Sequence, residues 1–370
     1  MASKTSLHTS RSTDGDRPVD SLPRVVTIAG RRVGPGEPAY LVAEAGVNHN
    51  GDVGTAKRMI EVAKRAGADA IKFQSFQAAE MCDMELTETK DVEGVTGGTK
   101  SSYEMYKSLE LSPWAHERLF ATAREVGITL FTSVFDAGMV GCLAGLGTPA
   151  FKISSGDVTH LPLVRRAAAA GRPVIISTGL STLEEVAEAV ACCRDAGNED
   201  VVLLQCTSAY PPADDEVNLN AMATLREAFG VPVGLSDHTV GIEVALAAVA
   251  MGACMIEKHF TLDTAMPGPD QKLSLDPDGF AKLVSGVRRI ERARGSSVKA
   301  PTAGERACLV ESRRGLFAAR DIAAGEVITG EMVRILKPCK GIEPKHLETV
   351  IGRTAQRDIK RMEPIGWSDV

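Results

Sequence analysis

No stretch of this 370-residue chain approaches the ~20 consecutive apolar residues that a membrane-spanning helix needs, so no membrane partner is expected. It has no block of lysine and arginine either, and its net charge is −6; both points lead away from nucleic acid as a main partner. Basic groups at individual strand ends remain free to bind a small anion. The N-terminal segment, Met1 to Asp20, is rich in Ser, Thr, Asp and Arg and lacks the apolar core of a secretory signal. It reads as a disordered leader. The eight cysteines show no metal-like spacing, and Cys142, Cys192, Cys193, Cys206 and Cys254 stand in apolar surroundings. That is the pattern of buried, reduced thiols in a cytoplasmic protein. No GxGxxG follows any candidate strand, which argues against a dinucleotide-binding fold.

What is there is an ordinary globular composition, 44% apolar and 24% charged, sufficient for one large α/β domain plus a small appendage. Eight short apolar runs end in polar residues and then give way to helical stretches. They begin at Tyr40 to Val42, Ala70 to Phe73, Thr129 to Phe131 and Phe151 to Ile153. Val174 to Ile176, Val201 to Leu204, Val233 to Leu235 and Met255 to Ile256 complete the set. Amphipathic, Ala-rich segments lie between them, among them Gly54 to Ala66, Leu183 to Asp195 and Ile242 to Met251. This alternation implies a parallel sheet covered by helices, and eight units in about 250 residues predict a TIM (β/α)8 barrel. Two segments depart from a bare barrel. Gln77 to Pro113 is too long for an ordinary βα loop and is expected to form a lid or binding loop, or else to be disordered. After the linker-like Gly295 to Pro301, short strands, turns and repeated acid–Ile pairs (Asp321-Ile322, Asp358-Ile359) predict a second domain. The expected division is a leader (1–20), a barrel (21–295), a linker (296–310) and a C-terminal domain (311–370).

In such a barrel the chemistry sits at the C-terminal ends of the strands. Here those ends carry Glu44, then Asn48 and His49; Lys72 and Gln74; Thr132 and Ser133; Lys152, Ser154, Ser155 and Asp157. Later strands end in Ser177-Thr178, Gln205-Cys206-Thr207-Ser208, Ser236-Asp237-His238 and Glu257-Lys258-His259. A single such residue is readily a strand-end cap, but so many polar groups are costly to bury without a use. Lys72 and Lys152 with the hydroxyls of Ser133, Ser155 and Ser177 make a candidate phosphate site. The bland alternative for each lysine is pairing with a barrel carboxylate. A Schiff-base role for Lys72, Lys152 or Lys258 ranks lower, because hydroxyls beside two lysines suit an anion better than a desolvated amine. Closure of the ring sets His238, His259 and Glu44 around one patch of the mouth. Two imidazoles plus carboxylates can hold a divalent metal, whereas a lone strand-end histidine is more often structural. His49, in a Gly/Asn-rich turn, shapes or caps the pocket. Tyr210-Pro211-Pro212 and Met266-Pro267-Gly268-Pro269-Asp270 read as rigid loops over the mouth, with Asp270 placed to reach a ligand.

These strings resemble the sialic acid synthase family. The resemblance starts at Ala43-Glu44-Ala45-Gly46-Val47-Asn48-His49-Asn50-Gly51-Asp52, Lys72-Phe73-Gln74 and Lys152-Ile153-Ser154-Ser155-Gly156-Asp157. Ser177-Thr178-Gly179, Gln205-Cys206-Thr207, Gly234 to Thr239, Glu257-Lys258-His259 and Pro267-Gly268-Pro269-Asp270 continue it in order. Arg313 to Phe317 and Gly325-Glu326 are similar to the family's antifreeze-like (SAF) domain. The resemblance implies condensation of phosphoenolpyruvate with the open-chain aldehyde of an N-acylated hexosamine, giving a nine-carbon 2-keto acid and phosphate. It implies a divalent metal, Mn2+ or Mg2+, on His238 and His259, and Gln74, Ser133, Ser155, Ser177, Ser236 and Tyr210 around phosphoenolpyruvate with Lys72 and Lys152. Glu44, Asp157 and Glu257 join the two histidines as catalytic candidates. Glu44, Asn48, Asp157, Asp270 and Lys337 are the candidates for the sugar. It further implies a head-to-tail homodimer in which the antifreeze-like domain caps the partner's barrel. The sequence departs from the family pattern at Lys337, where an arginine commonly precedes Pro-Gly, at Gln271, where a histidine is frequent, and at Ser208, where an asparagine is. Lysine loses the planar fork of arginine. N-acetylmannosamine is the lead sugar, with legionaminic- or pseudaminic-type sugars or a specialised sugar aldehyde as the alternative. A non-catalytic, ice- or glycan-binding role for the tail would leave the polar strand ends unexplained.

Overall fold

The computed structural model describes residues 24–83 and 101–370; the expected leader and the middle of the Gln77 to Pro113 segment lie outside them. The chain forms two compact units, Met1–Gly295 and Ser296–Val370. In the first, a short antiparallel hairpin, β1 (Val26–Ile28) and β2 (Arg31–Val33), precedes eight parallel strands. These are β3 (Tyr40–Gly46), β4 (Ala70–Ser75), β5 (Thr129–Val134), β6 (Phe151–Ile153), β7 (Val174–Ser177), β8 (Val201–Cys206), β9 (Val233–Asp237) and β10 (Met255–His259). They pair in sequence order and close through β10 on β3. This is the TIM barrel the alternation predicts, with the strands extending two to four residues past most of the apolar runs. The runs end early because the inward-pointing residues turn polar before the strand does.

Period-two alternation explains the core. Tyr40, Val42, Ala70, Phe131, Ile175, Val202, Leu204 and Met255 point inward at the N-terminal half, where Val26, Ile28 and Val33 of the hairpin pack with them. One step further along the same faces come Glu44, Lys72, Ser133, Lys152, Ser177, Ser236 and Glu257, all buried. The outward faces (Leu41, Ala43, Ile71, Phe73, Ile153, Ile176, Leu203, Leu235, Ile256) pack under the helices. Local signals set those helices: α1 (Val53–Arg65) starts on Asp52, which caps Thr55. Helices α2 (Ala78–Met81) and α3 (Ser102–Leu109) flank the undescribed part of the long segment, and α3 opens on a Ser101/Glu104 capping box. Helix α4 (Pro113–Val126) runs from Ser112 and Pro113 to Gly127 at φ +74°. Gly234 on β9 is required for another reason: a Cβ there would run into the Met255 carbonyl oxygen and stand 2.9 Å from Leu204 Cδ2. Gly234→Ala is expected to cost about 1–3 kcal/mol by overpacking, read as a lower urea midpoint.

The second unit has its own core of Leu316, Ala318, Ile322, Ile328, Ile342, Val350, Ile359 and Ile365, with strands β11 (Gly315–Ala318) and β12 (Val333–Leu336) antiparallel. The two acid–Ile pairs meet: Ile322 and Ile359 exchange backbone hydrogen bonds of 2.9 and 2.8 Å. Asp321 and Asp358 each accept a backbone N–H at 2.8 Å, from Arg361 and Ala324 respectively. Residues 296–310, expected as a linker, belong to this unit and include a four-residue helix, Ala303–Arg306. Among the described residues no helix is long and apolar enough to cross a membrane, and all eight cysteines are free.

Candidate active site

A cavity of about 530 Å3 opens at the C-terminal ends of the barrel strands. Its lining includes Glu44, Lys72, Gln74, Ser133, Lys152, Ser155, Ser177, Tyr210, Ser236, His238, Glu257, His259 and Asp270. At its floor is a buried quartet of charges. Lys72 Nζ stands 2.9 Å from Glu44 Oε2, 3.5 Å from Glu257 Oε1, and donates to Ser133 Oγ at 2.9 Å. Lys152 Nζ is 4.0 Å from the same Glu257 oxygen and donates to the Ile153 carbonyl at 3.0 Å. Ser236 Oγ donates to Glu257 at 3.1 Å, and Gln74 Nε2 to Glu44 Oε1 at 3.3 Å. Each lysine therefore stands beside a barrel carboxylate, and Lys72 also beside a hydroxyl. Burial, partly offset by Lys72, pushes the Glu44 carboxyl up to about 7. Burial opposes charge on both lysines; the two glutamates nevertheless hold Lys72 above the usual lysine range, whereas Lys152 falls below it. Ser177 Oγ and Glu257 Oε2 have no hydrogen-bond partner, so the floor has polar capacity to spare.

The histidines meet as ring closure requires. His259 lies opposite Glu44 in the β10–β3 register, and the His238 and His259 ring centroids are 5.2 Å apart. His238 Nδ1 donates to the Thr207 carbonyl at 2.9 Å, which leaves Nε2 uncommitted. Tyr210 lies over His238 with centroids 4.2 Å apart. Asp270 Oδ2 is 3.6 Å from His259 Nδ1, a buried atom without a hydrogen-bond partner. Burial first, with His238 and the lysines adding to it, holds the His259 imidazole well below its ordinary range and so neutral. Among the described residues no group of three or more His, Cys, Asp or Glu forms a ready cage for a metal. The donor set fits an open site: two imidazole nitrogens from the chain, the remaining positions left to water or substrate.

Three expectations change. Asn48 does not line the cavity; its Nδ2 donates to the Phe260 carbonyl and to Ser274 Oγ, both at 2.9 Å, and so ties the β3–α1 turn to the loop after β10. Asp157 is turned aside, accepting from Ser154 Oγ, with His160 Nδ1 at 3.8 Å. His49 packs on Phe73 with centroids 5.9 Å apart and accepts from the Gly51 N–H. Lys337 lies in the second unit. Val47, Met105, Tyr106, Leu109, Phe135 and Leu180 also line the cavity and escaped sequence reasoning; the capping box before α3 was the available signal. A second cleft of about 410 Å3, on the outer surface beside Arg58, Arg65 and Asp278, contains none of the expected site residues.

The model of the NeuB family matches residues 59–299, and that of the SAF domain matches 313–370. The chain belongs to the NeuB family. The N,N'-diacetyllegionaminic acid synthase of Campylobacter jejuni is 40% identical over 88% of this chain and 98% of its own length. The human N-acetylneuraminate-9-phosphate synthase is 35% identical over 91% and 95%. Among solved structures, the N-acetylneuraminic acid (sialic acid) synthetase of Leptospira borgpetersenii in complex with citrate is 33% identical, covering 78% of this chain and 96% of that one at a TM-score of 0.70. The cavity described above is thus the mouth of a NeuB-family barrel, and the second unit is a SAF domain.

Proposed function

We propose that this protein condenses phosphoenolpyruvate with the open-chain aldehyde of an N-acylated hexosamine, releasing phosphate. The observation that carries this reading is one cavity with two functional ends. Lysines and hydroxyls gather at the floor, Ser177 Oγ among them without a partner, and paired imidazoles stand beside an aspartate at the rim. Lys72 and Lys152, with Ser133, Ser155, Ser177, Ser236 and Gln74, hold the carboxylate and phosphate of phosphoenolpyruvate. His238 and His259 would hold a divalent ion, Mn2+ or Mg2+, which when bound would supply Lewis-acid polarisation of the aldehyde. Asp270 orients the aldehyde end, and Tyr210, expected around phosphoenolpyruvate, lies over His238 between the two substrates. Carbon three of phosphoenolpyruvate forms the new C–C bond, water adds at carbon two, and the tetrahedral intermediate loses phosphate by C–O cleavage. Glu44, raised to about 7 by burial, is suited to carry a proton near neutral pH. Glu257 favours the charged form of both lysines, in Lys152 against a larger effect of burial.

N-acetylmannosamine is the lead acceptor. A second reading, a 2,4-diacetamido-trideoxy hexose, is favoured by the apolar wall of Val47, Met105, Leu109 and Phe135, which suits acyl and deoxy methyl groups. A screen of both acceptors for phosphate release decides between them. Exhaustive chelation is expected to stop that release; activity that survives it sinks the metal assignment. No borohydride-trapped adduct with pyruvate should form, since Lys72 is held protonated and Lys258 is paired with Asp237. An adduct on Lys152 would restore the aldolase reading.

The proposal extends to the assembly: a cytoplasmic homodimer in which each SAF domain caps the partner's barrel and offers Lys337 to the sugar. Truncation before Pro301 is expected to raise KM for the sugar at least tenfold while KM for phosphoenolpyruvate changes less than threefold. Equal loss of both contradicts the cap.

A further inference from the structure

Of the three candidate lysines, Lys258 is left without work by the chemistry above. Glu257 and His259 face the cavity, so alternation turns Lys258 to the opposite face of β10. Its partner in the β9 register is Asp237, and both side chains are fully shielded from solvent. Lys258 Nζ stands 2.7 Å from Asp237 Oδ2, donates to the Thr239 carbonyl, and has Thr239 Oγ1 at 3.5 Å. The other carboxylate oxygen, Asp237 Oδ1, accepts from Thr239 N–H at 2.9 Å and from Thr239 Oγ1 at 2.8 Å. The turn Asp237-His238-Thr239 is therefore wrapped around one ammonium, with His238 between the two residues that hold it. On the inner face the preceding register pair, Ser236 and Glu257, is joined by a 3.1 Å hydrogen bond. Two side-chain pairs, one on each face, tie β9 to β10 one and two residues before the histidines.

Burying an ion pair is expensive, and two apolar side chains of the same volume would hold these strands at least as well. An apolar pair, however, has no directed bonds with which to set the backbone of residues 237–239. A one-residue slip of β10 would carry His259 to the far face, and a relaxed turn would swing His238 off the Thr207 carbonyl. The geometry points to Lys258, Asp237 and Thr239 as positioning residues that set the spacing and aim of the two imidazoles, and through them the affinity of the site for a divalent cation. The last clause rests on the metal reading above; the first does not.

The test uses the full chain with Mn2+ alone, followed by calorimetry, and histidine-selective 15N labelling of the metal-free protein. Lys258→Met is expected to weaken Mn2+ binding about 10- to 100-fold, the range for residues that orient metal ligands, and to shift the His238 and His259 ring signals. Thr239→Val, which removes one hydroxyl at constant volume, keeps the question open to measurement if Lys258→Met fails to fold; a several-fold loss is expected. Asp69→Asn is the control for a merely structural ion pair. Asp69 pairs with Arg31 and with Arg288 (3.1 Å) and accepts from Leu41 N–H at 2.8 Å, ahead of the N-terminal end of β4. It should lower the thermal midpoint yet leave Mn2+ affinity within twofold. Ring signals and Mn2+ affinity both unchanged in Thr239→Val and Lys258→Met would overturn the assignment. If the wild-type protein binds no Mn2+, the metal reading fails by itself, and the ring signals alone decide the positioning role.

Discussion

His238→Ala and His259→Ala are each expected to lower kcat/KM for phosphate release by about three orders of magnitude or more. Losing one of two imidazole donors forfeits the Lewis-acid contribution, several kcal/mol at about 1.4 kcal/mol per tenfold in rate. The effect should be catalytic, since His238 makes just one short hydrogen bond to the backbone, to Thr207, and His259 Nδ1 makes none. Thermal midpoints within a few degrees of wild type, alongside lost turnover and lost Mn2+ binding, are the expected pattern. A variant retaining a tenth of wild-type turnover would remove its histidine from the mechanism.

The second large effect concerns the floor. Lys72→Met leaves Glu44 and Glu257 facing each other in a buried site, with Lys152 no closer than 4.0 Å to Glu257. Breaking a buried pair by removing one partner costs about 3–5 kcal/mol, which urea denaturation reads as a midpoint lower by about 1–2 M. The KM for phosphoenolpyruvate should rise at least tenfold, because an ammonium and its Ser133 contact are gone. Lys72→Met/Glu44→Gln separates the two roles. Removing the stranded charge should restore most of the stability, while the phosphoenolpyruvate defect persists. Recovery of both together would mean that Lys72 serves the fold and not the ligand.

Much of this organisation is legible along the chain. The strands are visible because apolar residues alternate or run together at the right spacing, and Leu183 to Asp195 reads as a helix with the boundaries it has, Leu183–Asp195, preceded by a Thr182/Glu185 capping box. Asp270 was reachable from a Pro-Gly-Pro-Asp turn. Other features were hidden for physical reasons. The hairpin β1–β2 has three residues per strand, too few to show a period, and its role depends on the apolar interior it meets. Asn48 sits in the same motif as Glu44, yet its amide is spent on Phe260 and Ser274, residues more than two hundred positions away. Half of the apolar wall, Met105 and Leu109, comes from α3, whose approach to the cavity no local pattern encodes.

Which side chains share a strand face is a local property, so alternation by itself puts Lys72 with Gln74, Ser236 with His238, and Glu257 with His259. How they pair is not local. Lys72 reaches Glu44 on one neighbour and Ser133 on the other because β4 lies between β3 and β5. Its 3.5 Å approach to Glu257 spans the chain from β4 to β10 and depends on closure of the ring. Lys72 and Lys258 look alike in sequence, each close to a polar strand end. One residue of pleat sends the first to the cavity floor and the second behind the histidines, and burial gives each a different carboxylate to answer.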